Sequence, residues 1–189
     1  MGNIDPKDVN TELEAQTLKQ IEAITQYGVE VTYPLAKVLD VGLRFTHRII
    51  LRDELLTTAT TDYQAQLNQD SAMFVARIPF VKTKIMRMDA FAGLGGSNTS
   101  LKIKTAGQDG EVHRKESGDW VAAPVAAYGA SVALGYKMFY LVIEGGMETN
   151  KVTNLKRTGN VNTNIEAIDL SGSYFTVGLM FDGISASQK

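Results

Sequence analysis

Cysteine is absent from the 189 residues, which removes disulfides, thiol catalysis and thiolate-bound metal together. Histidine is nearly absent: His47 and His113 are the only two, and neither stands in a metal-binding motif. No excess of basic charge is present either, since the formal net charge is −2, so the electrostatic footprint of a nucleic-acid binder is missing. A long apolar run is lacking too. The least polar stretch, Val121 to Tyr136, contains Pro124, Gly129 and Ser131 and stops at Lys137, short of the roughly 18–20 residues that a membrane-spanning helix needs. The first residues, MGNIDPKDVN, show no basic segment followed by an apolar one. An exported protein needs such a signal, so the expectation is a mature domain carrying an added initiator Met.

What is present is order. With 44% hydrophobic residues, 21% charged residues and only 4 prolines, the chain can bury a core and is not of the disordered class. The length fits one domain, and it also fits one barrel of about eight membrane-length strands with loops.

The dominant signal is two-residue alternation. Tyr27, Val29, Val31, Tyr33 and Leu35 alternate with Gln26, Gly28, Glu30 and Thr32. Leu39, Val41, Leu43, Phe45, Ile49 and Leu51, with His47 as the one polar intruder, alternate with Asp40, Gly42, Arg44, Thr46 and Arg48. The pattern recurs at Phe74–Phe80, Met86–Gly95, Ala126–Tyr136, Phe139–Gly146 and Gly172–Phe181. Short turns fall near Pro34–Lys37, Lys82–Lys84 and Tyr136–Met138. Long polar loops fall near Arg52–Ser71, Ser97–Trp120 and Glu148–Asn164. Short turns at one end and long loops at the other is the asymmetry of bacterial outer-membrane barrels, whose turns face the periplasm.

Alternation alone also suits a soluble barrel with its apolar face turned inward. Two features favour the membrane. The polar face mixes many glycines with Glu30, Asp40, Arg44, Arg48, Arg77, Arg87, Asp89 and Glu144, a charge-balanced set suited to a narrow lumen in which Gly makes room for paired Arg and Glu. An unpaired charge there is costly. Tyr33, Phe80, Tyr136, Phe139 and Phe181 lie beside the short turns or at the end of the last strand, where they form an aromatic girdle at one membrane interface.

The segments YGVEVTYPLAKVLDVGLRFTHR, APVAAYGASVALGYKMFYLVIEGGME and DLSGSYFTVGLMF resemble the small outer-membrane β-barrel superfamily of the OmpA-like transmembrane type. The resemblance covers residues 26–181 and is one of pattern. It implies an all-β fold, a closed antiparallel transmembrane barrel most simply of eight strands, in the bacterial outer membrane and in contact with its lipid. Such barrels usually end on the aromatic residue of the last strand, whereas here residues 182–189, DGISASQK, continue past Phe181 as a tail.

Seven strands are legible, and a barrel with both termini in the periplasm needs an even number. The eighth is expected from Asn10–Gln26, within an N-terminal segment of residues 1–25. There Thr11, Leu13, Ala15 and Thr17 alternate weakly, while Thr11–Glu14 also reads as a helix capping box followed by Leu18, Ile21 and Ile24. Strand and helix both remain open.

Catalytic signals are weak. Ser97, Ser100, His113 and Asp119 share one loop region and form the single nucleophile–base set worth naming. Gly93–Gly96 follows a strand but leads into another strand-like run, so it fails as a phosphate loop. No enzyme activity and no cofactor are expected. The expected role is that of a structural or surface-exposed outer-membrane protein, with a narrow porin-like channel as the alternative and a soluble ligand-binding barrel as a third reading. Ala90, Ala92, Ala126, Ala130 and Gly145 make one outward flank small, and small residues let membrane surfaces pack closely. A homo-oligomer is expected there, of a kind that closes into a ring and encloses lipid.

Overall fold

The computed structural model describes residues 2–4, 11, 23–49, 56–58, 61–105, 108–113, 123–160 and 165–181. These form one antiparallel sheet of 12 strands. In chain order they are β1 (Gly2–Ile4), β2 (Ala23–Ala36), β3 (Leu39–Ile49), β4 (Leu56–Thr58), β5 (Thr61–Lys82), β6 (Met86–Thr105), β7 (Gln108–His113), β8 (Ala123–Tyr136), β9 (Phe139–Thr153), β10 (Lys156–Gly159), β11 (Ala167–Asp169) and β12 (Gly172–Phe181). No helix among the described residues is long and apolar enough to cross a membrane. The fold is all-β, as the alternation predicts.

Local chemistry fixes the turns. Lys137 adopts a left-handed φ of 60° in the two-residue connection between β8 and β9, the conformation tight hairpins use to match strand twist. Between β5 and β6 the Thr83 backbone N–H donates to the Met86 carbonyl at 2.8 Å, and the Thr83 hydroxyl accepts from the Met86 N–H at 2.9 Å. Register slips beside Pro34 and Pro79, because proline brings no N–H to the ladder.

The pairings run β5–β6–β8–β9–β12–β1–β2–β3, and β3 pairs in turn with β5. Between β12 and β2 the bridge is only β1, which pairs at Gly172–Tyr174 on one side and at Ala23–Ile24 on the other. Below it the edge of β2 from Thr25 onward and the edge of β12 from Thr176 to Phe181 face no paired strand among the described residues. The expectation of a fully closed sheet is corrected to this extent: the two ends are joined at the loop side alone. Among the described residues the strand between them is Gly2–Ile4, and most of the Asn10–Gln26 segment expected to supply it lies outside those residues. Of that segment, Ala23–Gln26 begins β2, and the Thr11–Thr17 alternation lies, apart from Thr11, outside the described residues.

The three polar stretches assigned to loops are corrected as well. β5 has 22 residues and β6 has 20, about twice the nine to eleven that cross a bilayer, so both run far past the apolar zone. The faces invert where they leave it. Outward on β5 stand Phe80, Ile78, Ala76, Phe74 and Ala72, and then Asp70, Asn68 and Gln66. The opposite face of β5 passes through Ser71 and Gln69 to Leu67, which is buried. Beyond the inversion, buried Ile24, Leu67, Leu101, Val112, Ile165, Ile168 and Leu170 form an apolar core, with Leu155 packed against it. That part has the build of a soluble β-domain.

Truncating Leu101, which is 1% exposed, therefore loosens the loop-side part first. Leu101→Ala should cost about 3 kcal/mol. If that cost falls on local opening, trypsin cleavage after the exposed Lys102 rises roughly a hundred-fold in limited digestion. Unchanged cleavage would mean that this core does not close over the strand ends.

Candidate functional site

The four arginines and five carboxylates of the charged face sit in three tiers. On β3, Asp40, Arg44 and Arg48 recur every four residues, which places all three on one face at successive heights.

Nearest the short turns, Arg87 on β6 contacts Asp40 on β3 at 2.5 Å and Asp89 at 2.8 Å. Arg44 and Arg77 form the middle tier. The Arg44 guanidinium lies 2.6 Å from Glu30 on β2 and 2.8 Å from Glu144 on β9. Arg77 on β5 pairs with the same two carboxylates, reaching Glu144 at 2.6 Å and binding Glu30 through Nε and Nη2. Its remaining nitrogen donates to Ser131 Oγ at 3.0 Å. The Tyr174 hydroxyl of β12 donates to Glu144 at 3.0 Å and accepts from Arg44 at 3.1 Å. Both guanidiniums lie over the Phe91 ring, at 4.8 and 5.1 Å from its centroid, a favourable cation–π position.

The third tier is the driest. Arg48 binds both oxygens of Glu148 at 2.7 Å, and the two side chains are each 4% exposed. Gln26 and Gln69 accept the other Arg48 protons at 3.0 Å, Gln69 donates to Thr99 at 3.1 Å, and Ser97 donates to Asn150 at 2.8 Å. No buried side-chain nitrogen or oxygen lacks a partner among the described residues. Interior ion pairs require such saturation to offset their desolvation.

Of the residues named from sequence, Glu30, Asp40, Arg44, Arg48, Arg77, Arg87, Asp89 and Glu144 all enter these tiers. Sequence reasoning missed Glu148, Gln26, Gln69, Ser131, Phe91 and Tyr174 as partners. Glu148 had been given to a loop, although the period Glu144–Gly146–Glu148–Asn150 on β9 continues the charged face. Its inclusion brings the set to five carboxylates, Glu30, Asp40, Asp89, Glu144 and Glu148, against the four arginines, and the surplus acid lies in the Arg87 tier.

Tyr33, Phe80, Tyr136, Phe139 and Phe181 are 58–67% exposed. Tyr136 is in register with Phe139 and Phe139 with Phe181, and the two Phe rings meet edge to face at 5.3 Å. A second aromatic level at the far boundary was missed. There Tyr27 packs on His47 at 5.1 Å, His47 Nδ1 lies 2.5 Å from Asp70, and Tyr128 donates to Met147 Sδ at 3.4 Å. Ala90, Ala130 and Gly145 are exposed and in direct register across β6, β8 and β9; Ala92 is exposed and Ala126 half-buried beside them.

The Ser97–Ser100–His113–Asp119 set does not assemble. Ser97 is buried and bonded to Asn150, whereas Ser100, an odd number of residues along β6, belongs to the other face and to the ladder position opposite His113. Asp119 lies outside the described residues. Among the described residues no group of His, Asp and Glu is arranged to hold a metal ion. Comparison with protein-family models, with curated proteins and with solved structures finds no match for this chain.

The Arg48–Glu148 pair yields a stability test. Arg48→Ala leaves a buried carboxylate without its counter-charge and should cost about 3–5 kcal/mol. Arg48→Met combined with Glu148→Leu should recover most of that loss. Denaturant midpoints of the two variants distinguish a dry ion pair from a solvated one, for which the two variants would differ little.

Proposed function

We propose that this protein is a small outer-membrane β-barrel of eight strands, structural and non-catalytic, with its loop-side extension exposed at the bacterial surface and its short turns in the periplasm. The observation that carries this reading is the inversion of the faces. Over about nine residues per strand, a membrane-crossing length at barrel tilt, the large apolar side chains stand outward and the ion pairs stand on the opposite face. Phe74 is 75% exposed, Leu94 70% and Val31 69%. A water-soluble protein seldom leaves so large a contiguous apolar surface bare. Aromatic residues bound this zone on both sides, as rings do at the two interfaces of a bilayer.

The tiers support a filled interior. Arg44, Arg77, Glu30, Glu144 and Tyr174 come from five different strands and meet at one level, which suits the small diameter at which side chains just fill an eight-stranded barrel. A porin-like channel for small solutes needs that level open, so the observations favour a scaffold over a pore. The committed acids and bases also leave no free general acid or base in the tiers for catalysis.

The flat row Ala90–Ala130–Gly145 supports self-association in the membrane. In this reading the small flank of one copy meets the bulkier flank of the next, which carries Val29, Val31 and Phe45, all more than half exposed. A head-to-tail contact of that kind generates a ring, and a ring of barrels encloses lipid.

Three measurements test this reading. The folded protein should migrate anomalously on gels until boiled, and protein that stays soluble without detergent and shows no heat-dependent shift would refute the barrel. Planar bilayers should show no unitary conductance for the parent, and stepwise conductance should appear in Arg44→Ala/Arg77→Ala; a conducting parent would restore the channel. Light scattering in native lipid should give a multiple of the 20.6 kDa chain mass, and Ala130→Trp should return it to the monomer.

A further inference from the structure

A groove of about 500 Å³ opens on the outward face between β3, β5 and β6. Ala76 and Ala92, paired across β5 and β6, form its floor, and Val41, Leu43, Phe74 and Leu94 stand around them. Ala90, the next outward residue of β6, is also exposed and carries the small floor toward the short turn. The backbone here is already paired in the ladders, so the groove offers apolar contact and no free hydrogen-bonding group. A polypeptide backbone laid in it would be desolvated without gaining partners, whereas a hydrocarbon chain loses nothing.

The depth of the groove matches one leaflet. Phe74, at its inner end, lies six residues along β5 from Phe80 of the aromatic girdle, which is roughly 20 Å along the strand and about 15 Å along the membrane normal at barrel tilt. That is half of the ~30 Å hydrocarbon core, the reach of one acyl chain. The foot of the groove is positively charged. Lys37 lies in the connection at the foot of β3, and Lys82 and Lys84 lie at the foot of the β5–β6 hairpin; Lys137 holds the same place below β8 and β9, 5.4 Å from the Tyr136 ring centroid. All four are exposed, and residues 37–38, 83–85 and 137–138 include no acid. The carboxylates next along β3 and β6, Asp40 and Asp89, are buried and bound to Arg87. At the loop side both signs mix, with Asp70 and Glu166 exposed as well as Lys102 and Lys151.

We infer that the groove seats one acyl chain of an anionic phospholipid from the leaflet on the short-turn side, with the phosphate against Lys37 and Lys84. The inference rests on the barrel reading and names the lipid chemistry that one part of its wall selects. Lysines near a membrane surface attract anionic headgroups, and their stems follow apolar surface to reach them. Lys82 and Lys137 add to the same field. Charge alone would gather anionic lipid around the whole rim; the groove holds one chain at one place.

The only tryptophan is Trp120, so a fluorescent reporter can be placed in a Trp120→Phe background. Phe74→Trp puts it in the groove wall, and Val177→Trp puts it on β12, four strands away in the pairing order. The full chain is folded into phosphatidylcholine vesicles in which a minor fraction of the lipid is chain-brominated phosphatidylglycerol or chain-brominated phosphatidylcholine. Quenching of the Phe74→Trp reporter should favour phosphatidylglycerol at least about five-fold, while the Val177→Trp reporter should be quenched alike by both. Adding Lys37→Gln/Lys84→Gln should remove most of the preference, and Lys37→Arg/Lys84→Arg should keep it. Equal quenching at the groove, the same preference at both reporters, or a preference that survives the two Gln substitutions overturns the inference. So does a groove reporter shielded from both lipids, which would put a second copy of the chain there. Gel migration of the same samples separates the two claims. A heat-modifiable barrel without the preference refutes the lipid site alone, and a sample with no heat-dependent shift refutes the barrel and the site together.

Discussion

Two guanidiniums sharing two carboxylates hold the centre of this sheet. Arg44 and Arg77 each bind both Glu30 and Glu144, so β2, β3, β5 and β9 are tied at one level by groups that a dry interior could not otherwise accommodate. Such a cluster tolerates no half measures, because removing one member leaves another buried and charged. The surrounding structure serves it. Phe91 provides a flat surface for both cations, Ser131 and Tyr174 take up the remaining hydrogen-bonding capacity, and Gly129 leaves room for the Phe91 ring, which an added Cβ would crowd. Strand register then follows, since a one-residue slip would turn these charges toward the apolar side.

Much of this was legible because a period of two is a robust signal where one face is lipid-compatible and the other charged. The stretches around Tyr27–Leu35, Leu39–Ile49 and Phe139–Gly146 fall within β2, β3 and β9, and all eight charges named from alternation form ion pairs. The pattern gave out where the outward face becomes polar. From Gln66 to Asp70 and from Asn98 to Lys102 the strands continue, but both faces carry polar residues, so composition there resembles a loop. The signal that remained was the sparse inward series Leu67, Leu101 and Val112. Individual partners were illegible for a different reason. Arg48 and Glu148 are 100 positions apart, and which acid meets which arginine depends on the relative stagger of strands that do not touch. The strand at Gly2–Ile4 was not legible because three residues are too few to show a period.

The same inversion of the faces divides the molecule into zones with different interiors. Toward the short turns the protected groups are the charged tiers together with the cluster of Met73, Val75, Phe91, Val125, Ala127 and Tyr174, and large apolar side chains stand exposed on the other face. Beyond Gln69 and Thr99 the apolar core is built of Leu, Ile and Val. Continuous strands β5 and β6 carry both zones without a hinge, so the exposed extension takes its orientation from the wall beneath it.

That division has a calorimetric consequence. Exposing apolar surface to water raises the heat capacity and exposing polar surface lowers it. Melting of the loop-side core therefore carries a positive increment, whereas separating the arginine tiers contributes with the opposite sign. Heat and cold then act unevenly along one pair of strands: the distal leucine-rich end weakens on cooling, as apolar association does, while the ionic tiers respond through the hydration of their charges. The two interiors of a single hairpin thus give its ends different temperatures of greatest stability.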